Sequence, residues 1–203
     1  MFPDRNEGVL DLGGGDGHHF AGSFPDRRNV CISDLRHAVL DDARRLYGYQ
    51  TRQIDGSGRL PFADGEIDII FCSSVIEHVT GPKQDARKLF RTDGRRFRNQ
   101  ARTYQQQFAA EIRRCCKHYF VQTPYRYFPV ETHSRIPLLG LFRSSVQWRV
   151  INFLENVPIW PLLRQETDWS LLNKREMRAL FPDAEIYVER FWGFEKSLIA
   201  VKR

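Results

Sequence analysis

Short apolar runs, each ended by turn residues, divide the first part of the chain. Val9–Leu12 is such a run, and residues 29–33 form a second that is rich in β-branched side chains. Residues 67–72 are almost entirely apolar, as expected for a central parallel strand that is buried on both faces. Helical spacing separates these runs, so the pattern predicts an α/β fold with a parallel sheet.

Helical and alternating patterns continue to the end of the chain. Val39, Ala43 and Leu46 recur at helical spacing before Gly48, and Tyr104, Phe108 and Ile112 do the same further on. Residues 118–122 are apolar enough for another strand. Two alternating segments, 184–189 and 197–201, are joined by a short loop and predict an antiparallel hairpin at the edge of the sheet.

A glycine-rich turn follows the first predicted strand, in the sequence Asp11-Leu12-Gly13-Gly14-Gly15-Asp16-Gly17. Glycine permits positive φ and lets a ligand approach the backbone, so this turn predicts a nucleotide-like ligand at the end of the strand. The turn departs from the dinucleotide pattern G-x-G-x-x-G, because His18 stands where the last glycine belongs. Asp11 and Asp16 would also repel a pyrophosphate, whereas a cationic ligand would be attracted.

Asp34 directly follows the second predicted strand, 21 positions after Gly13. An acidic residue at this spacing is placed to accept hydrogen bonds from ribose hydroxyls. The same carboxylate is also suited to cap the helix that follows, and one side chain can serve both purposes.

The segment Asp11–Gly17 resembles the first motif of class I S-adenosylmethionine-dependent methyltransferases, and Asp34 matches their second motif. Residues 60–79 are similar to the corresponding stretch of small-molecule members, whereas the likeness is weaker over 103–133 and 172–203. The resemblance implies S-adenosylmethionine as cofactor. The cofactor-binding residues that it implies, together with their neighbours at the strand ends, are Asp11, Gly13, Gly14, Gly15, Asp34, Leu35, Asp55, Cys72 and Ser73.

The same resemblance implies a single methyltransferase domain over residues 1–203. Its fold would be a Rossmann-like seven-stranded sheet of order 3-2-1-4-5-7-6, with strand 7 antiparallel, helices on both faces and a helical insertion before strand 6. Residues 136–170 form this apolar insertion, which Pro137, Pro158 and Pro161 divide. A substrate cap, a dimer surface and a membrane-touching patch are its possible roles, in that order.

Candidate catalytic and substrate residues lie after predicted strands, where α/β enzymes place their chemistry. His78 and His133 are candidate general bases, because histidine titrates near neutral pH, and each could equally make a structural hydrogen bond. Arg126 and Glu131 belong to a Thr-Pro-x-Arg-x-Phe-Pro-x-Glu-x-His run that occurs in a subset of the family. They could bind substrate or pair with each other.

Composition limits the kind of protein and the location that we expect. The chain has 203 residues, 41% hydrophobic residues and a formal net charge of +6, and no apolar run approaches the ~20 residues of a membrane span. Cys31, Cys72, Cys115 and Cys116 lack metal-ligand spacing, which predicts buried reduced thiols, no metal site and a cytoplasmic location. No secretory signal is evident at the amino terminus.

The function expected from these features is methylation of a small molecule at oxygen or nitrogen, with a homodimer possible. A nucleic-acid methyltransferase is the first alternative, because basic residues crowd segment 87–102. Cys72-Ser73-Ser74-Val75 replaces the Asn/Asp-Pro-Pro-aromatic motif of amino-methylating nucleic-acid enzymes, which weakens that alternative. A cofactor-binding relic without catalysis is the second, since only eight residues precede the first strand and family members usually cover the cofactor there. An NAD-dependent enzyme is the least favoured of these alternative functions.

Overall fold

The computed structural model describes residues 7–130, 136–155 and 168–203. Within these ranges the chain alternates strands and helices as the apolar pattern predicts. The elements are β1 (Val9–Leu12), α1 (His18–Ser23), β2 (Val30–Asp34), α2 (His37–Tyr47), β3 (Gln50–Gln53), β4 (Ile67–Ser73), α3 (Lys83–Thr92), α4 (Gly94–Cys115), β5 (Cys116–Pro124), α5 (Ser144–Glu155), α6 (Lys174–Leu180), β6 (Glu185–Phe191) and β7 (Phe194–Lys202). Short 3₁₀ turns lie at Ile76–His78 and Leu139–Leu141.

The seven strands form one sheet in the order β3-β2-β1-β4-β5-β7-β6, which confirms the predicted topology. The first five strands are parallel, and β7 runs antiparallel to both β5 and β6. The β6–β7 hairpin turns at Trp192 and Gly193, whose φ values of 50° and 79° are those of a tight hairpin turn. Strand order reverses between β1 and β4, which opens a crevice at their carboxyl ends.

Alternation along β1 and β4 divides the core between the two faces of the sheet. Leu10, Ile70 and Cys72 pack with helices α4 and α6 on one face. Val9 and Ile69 pack with α1 and α2 on the other face. Helices therefore cover both faces, as predicted, and the central strands are buried on both sides.

A separate apolar cluster holds helices α3, α4 and α5 together. Its buried side chains include Phe90 and Phe97 from the basic segment and Ile151 and Trp169 from the predicted insertion. The insertion 136–170 thus contributes α5 and a packed face to this cluster, while residues 156–167 lie outside the described residues. Its predicted roles as cap or dimer surface remain predictions.

The glycine-rich turn is packed against the end of β1. A Cβ placed on Gly14 would lie 2.2 Å from Oδ2 of Asp11, whose side chain is only 3% exposed. A Cβ on Gly13 would lie 2.5 Å from a methyl group of Val75, and Gly13 has a φ of +78°. The turn therefore requires glycine at both positions. At Gly14 there is no space for a side chain, and at Gly13 both the lack of space and the positive φ require glycine.

We expect Gly14→Ala to lower the free energy of unfolding by about 1–3 kcal/mol, because the added methyl group collides with a buried carboxylate that has little room to move. Gly22→Ala is the matched control, since a Cβ at Gly22 in α1 meets nothing within 4 Å. Alanine there should raise stability by up to about 1 kcal/mol through helix propensity. Urea unfolding of the two variants measures the difference, and equal effects would contradict the predicted collision.

Candidate functional site

A cleft of about 580 Å³ lies at the carboxyl ends of β1, β4 and β5. This volume falls within the range of sites for small molecules and cofactors. Its lining is formed by Asp11, Gly13, Gly14, His19, Ser73, Ser74, Glu77, Gln122, Pro124, Glu189, Lys196 and Ser197. Three of these residues are acidic and one is a lysine, so the cleft favours a ligand that carries positive charge.

Asp11, the residue before the last of β1, is almost fully buried. Its Oδ2 atom has no hydrogen-bond partner among the described residues. Burial and the nearby carboxylate of Asp34 raise the pKa of Asp11 from 3.8 to about 7. A cationic group in the cleft would stabilise the ionised form and would relieve this cost.

Asp34 holds the glycine-rich turn from the neighbouring strand. Its carboxylate accepts hydrogen bonds from the Gly15 amide at 3.2 Å and from the Arg36 amide at 2.9 Å. The Arg36 side chain adds an ion pair at 3.2 Å. Asp34 is therefore next to the turn, as predicted, but it supports the chain ahead of α2 instead of occupying the capping position, which belongs to Arg36.

Ser73 ends β4, Ser74 follows it, and both line the cleft. Both hydroxyls donate hydrogen bonds to Oε1 of Gln122 on the adjacent β5, at 3.0 and 3.1 Å. Ser74 has a φ of 56°, in the left-handed region that non-glycine residues rarely adopt. Such strained backbone at the end of a central strand is typical of functional sites.

Glu77 is a cleft residue that the sequence motifs did not single out. Its side chain is completely buried and accepts a hydrogen bond from the Thr123 hydroxyl at 3.0 Å. The signal that could have found it is an acidic residue in a turn with apolar neighbours, between Ile76 and His78, four positions after the end of the largely buried strand β4. A buried carboxylate at such a position is a candidate for binding or proton transfer.

Five predicted cofactor-binding residues lie outside the lining of the cleft, namely Gly15 and Asp34 beside the turn, and Leu35, Asp55 and Cys72. Cys72 points into the core because side chains alternate along β4, and burial raises the pKa of its thiol well above 9.0. Leu35 is half exposed. Asp55 is exposed, and hydrogen bonds from Ser57, whose amide lies at 2.8 Å, lower its pKa.

His78 is oriented by an ion-pair network instead of facing the cleft. Its Nδ1 lies 3.3 Å from Oδ1 of Asp168, and Nζ of Lys83 lies 2.7 Å from Oδ2 of the same carboxylate. Burial of Asp168 raises its pKa, but hydrogen bonds from His78 and Lys83 outweigh burial and the net shift is downward. These contacts favour the structural role that the sequence had left open for His78.

Arg126 is also engaged in the structure. Its guanidinium pairs with Glu176 at 3.1 Å and donates a hydrogen bond to the carbonyl of Leu171. The predicted role of Glu131 in binding substrate, its alternative pairing with Arg126 and the predicted catalytic role of His133 all concern residues 131–135, which lie outside the described residues.

Three further properties of the described residues concern metal binding, the state of the cysteines and membrane-spanning helices. No group of three or more His, Cys, Asp or Glu side chains within them could hold a metal ion. All four cysteines are free, and three of them are buried. Among the described helices, none combines the length and apolar character needed to cross a bilayer.

Comparison with known sequences connects this geometry to a family. Residues 10–95 match the family described as "Methyltransferase domain". An uncharacterized methyltransferase of Mycolicibacterium gilvum is 40% identical over 81 residues, which cover 38% of this chain and 31% of that protein. One from Mycobacteroides abscessus is 36% identical over 90 residues, covering 38% and 32%. The matched region thus spans about a third of the length of these curated relatives.

Solved structures show the same fold at low sequence identity. An S-adenosylmethionine-dependent methyltransferase from Mesorhizobium loti superposes with a TM-score of 0.57 and 14% identity, over 99% of this chain and 93% of that one. A putative methyltransferase from Haloferax volcanii, solved with the activator Trm112, gives a TM-score of 0.52 and 15% identity over 96% and 81%. Residues 10–95 thus match the methyltransferase-domain family, and the seven-stranded sheet as a whole has the fold of S-adenosylmethionine-dependent methyltransferases.

Proposed function

We propose that this protein transfers a methyl group from S-adenosylmethionine to oxygen or nitrogen of a small-molecule acceptor, with both bound in the described cleft. The observation that carries the proposal is the buried carboxylate of Asp11, which lies beside the glycine-rich turn without a protein partner for Oδ2. S-adenosylmethionine carries an ammonium and a sulfonium group, and either suits an acidic cleft better than a pyrophosphate does.

Different residues around the turn bind different parts of S-adenosylmethionine in this proposal. Asp34, at the tip of β2, is placed for hydrogen bonds to ribose hydroxyls, and Leu35 and Asp55 continue on the adenine side. Asp11, Gly13, Gly14 and Gly15 surround the amino-acid end, and Ser73 adds hydroxyl contacts. Cys72 supports Ser73 from the core, where its own side chain is buried. This assignment follows the strand ends at which these residues lie.

S-adenosylmethionine, when bound, supplies a methyl group that its sulfonium has already activated. The chain must therefore align the acceptor, exclude water and take up a proton where one is released. Glu77 is the carboxylate best placed for the acceptor, because it lines the cleft and Thr123 fixes its orientation. His78 would act indirectly, by holding the turn that carries Glu77 through Asp168.

Calorimetry with S-adenosylmethionine and with its demethylated product tests cofactor binding, with NADH as the comparison nucleotide. We expect one site for each sulfur compound and no binding of NADH. Mass spectrometry of reactions with a panel of small acceptors then tests transfer. Binding without transfer to any small or nucleic-acid acceptor would favour the non-catalytic alternative, and absence of binding would remove the proposal.

Replacement of Asp34 by asparagine should weaken S-adenosylmethionine binding by about 1–3 kcal/mol, because charge-assisted hydrogen bonds become neutral ones. Asp42→Asn is the matched control, since Asp42 is an exposed α2 residue that pairs with Arg45. Melting temperatures of both variants show whether the turn stays folded. An unchanged affinity in a folded Asp34→Asn protein would contradict the ribose assignment.

The raised pKa of Asp11 predicts a pH dependence with a definite sign. In the ligand-free protein the pKa of Asp11 is about 7, whereas its ordinary value is 3.8, so ionisation lowers the free energy of unfolding as pH rises between these values. A cationic ligand favours the ionised form, so the affinity for S-adenosylmethionine should rise with pH by up to about tenfold per unit below pH 7. Calorimetry between about pH 5.5 and 7.5 measures this slope. Asp11→Asn should reduce this dependence of the affinity on pH. If the slope persists in the variant, it belongs to another titrating group.

A further inference from the structure

The net charge of the chain is concentrated on one helical pair. Residues 83–102, which span α3 and the first part of α4, contain eight of the 31 Lys and Arg residues and two of the 25 Asp and Glu residues. This segment therefore has a net charge of +6, and the 23 basic and 23 acidic residues elsewhere balance each other. A positive surface this local is expected to attract an anionic partner to one side of the molecule.

The packing of α3 and α4 leaves basic side chains of this segment exposed to solvent. Ala86, Phe90 and Phe97 face the apolar cluster and are buried. The exposed basic side chains between them include Lys88, Arg91, Arg95 and Arg96. Of the acidic groups in reach, Asp93 pairs with Arg96 at 3.5 Å and Glu176 pairs with Arg102 at 3.0 Å.

Helix α5 is apolar on its outer side as well as on its inner side. Ile151 is buried and Trp148 and Leu154 are packed against the cluster. Val146 and Phe153 lie on the opposite side, at 38% and 69% exposure, and Leu141 and Phe142 just before the helix are 53% and 50% exposed. Val146 and Phe153 are two helical turns apart, so they lie on one outward side of α5 together with Arg149, and exposed Phe142 precedes the helix in extended backbone.

The charged and apolar surfaces are adjacent. A Cβ on Gly94, at the start of α4, would lie 2.7 Å from Ser144 Oγ, at the start of α5. The guanidinium of Arg91 lies 5.8 Å from the centre of the Trp148 ring. The approach of Gly94 to Ser144 brings the start of α4, with exposed Arg95 and Arg96, next to the start of α5, with exposed Leu141, Phe142 and Val146. We call these residues the basic–apolar face, together with Lys88 and Arg91 on α3, which packs on α5, and Phe153 further along α5.

We propose that the basic–apolar face docks this protein peripherally on a bilayer that contains anionic lipids. Exposed Leu, Val and Phe side chains insert at the level of the headgroups, and neighbouring cations pair with lipid phosphates, which together give stable interfacial binding. Single-stranded nucleic acid would use the cations and stack on Phe, but it has no use for exposed Leu141 and Val146. The combination of charge with aliphatic side chains therefore favours lipid.

Flotation with phosphatidylcholine vesicles, with and without phosphatidylglycerol, tests the proposal on the full chain. We expect binding to the anionic vesicles, weakening as salt is added. Arg95→Gln/Arg96→Gln should weaken binding about fivefold per arginine. Leu141→Ser/Phe153→Ser should weaken it about tenfold or more through lost apolar contact. Both replaced apolar side chains are more than half exposed, so the fold should be retained.

Matched control variants lie on α2, which packs on the far part of the sheet beside β2 and β3. Arg44→Gln/Arg45→Gln removes two exposed arginines, and Leu46→Ser removes an apolar side chain that is 55% exposed. Neither control should change flotation. Failure of the unaltered protein to float with anionic vesicles at low salt would overturn the proposal. The proposal would also be overturned if only the arginine substitutions weakened vesicle binding and an RNA oligonucleotide bound with the same dependence on these arginines. That result would assign the face to nucleic acid.

Discussion

The packing of a glycine-rich turn against a buried carboxylate is the constraint on which the site depends. Asp11 lies near the end of the central strand β1, and Gly14 passes so close to it that no side chain fits between them. Asp34 reaches across from β2 and accepts a hydrogen bond from the Gly15 amide. Burial, and secondarily the nearby carboxylate of Asp34, raise the pKa of Asp11, and the two carboxylates leave an acidic opening that a cation can complete.

The rest of the cleft follows from the parallel arrangement of β1, β4 and β5. Because their carboxyl ends meet at one edge, Ser73, Ser74, Glu77 and Gln122 converge there although they are distant in sequence. Hydrogen bonds between neighbouring strands set their orientation. His78 and Arg126, which also follow strands, are turned aside by Asp168 and Glu176. Position after a strand therefore places a residue near the cleft, and its partners decide whether it faces the ligand.

Apolar packing also explains how a strongly basic segment can lie within the domain. Phe90 and Phe97 are buried among α3, α4 and α5, so the arginines between them must point away from the core. Phe142, Val146 and Phe153 remain outside the same cluster because Ile151 and its neighbours already fill its inner side. The charged and apolar surfaces are adjacent because both belong to helices that share one core.

The sequence by itself determined most strand and helix positions and the glycine turn with Asp11 and Asp34, since these depend on local periodicity and motifs, whereas the sheet order was expected only from the resemblance to a family. The sequence did not predict β3, whose polar residues Gln50–Gln53 lack an apolar pattern. Only the tertiary structure showed that Cys72 points into the core, that Asp168 engages His78 and that Glu77 lines the cleft. The physical reason is that side-chain direction and ion-pair partners depend on contacts between residues far apart in the chain, which local patterns do not record.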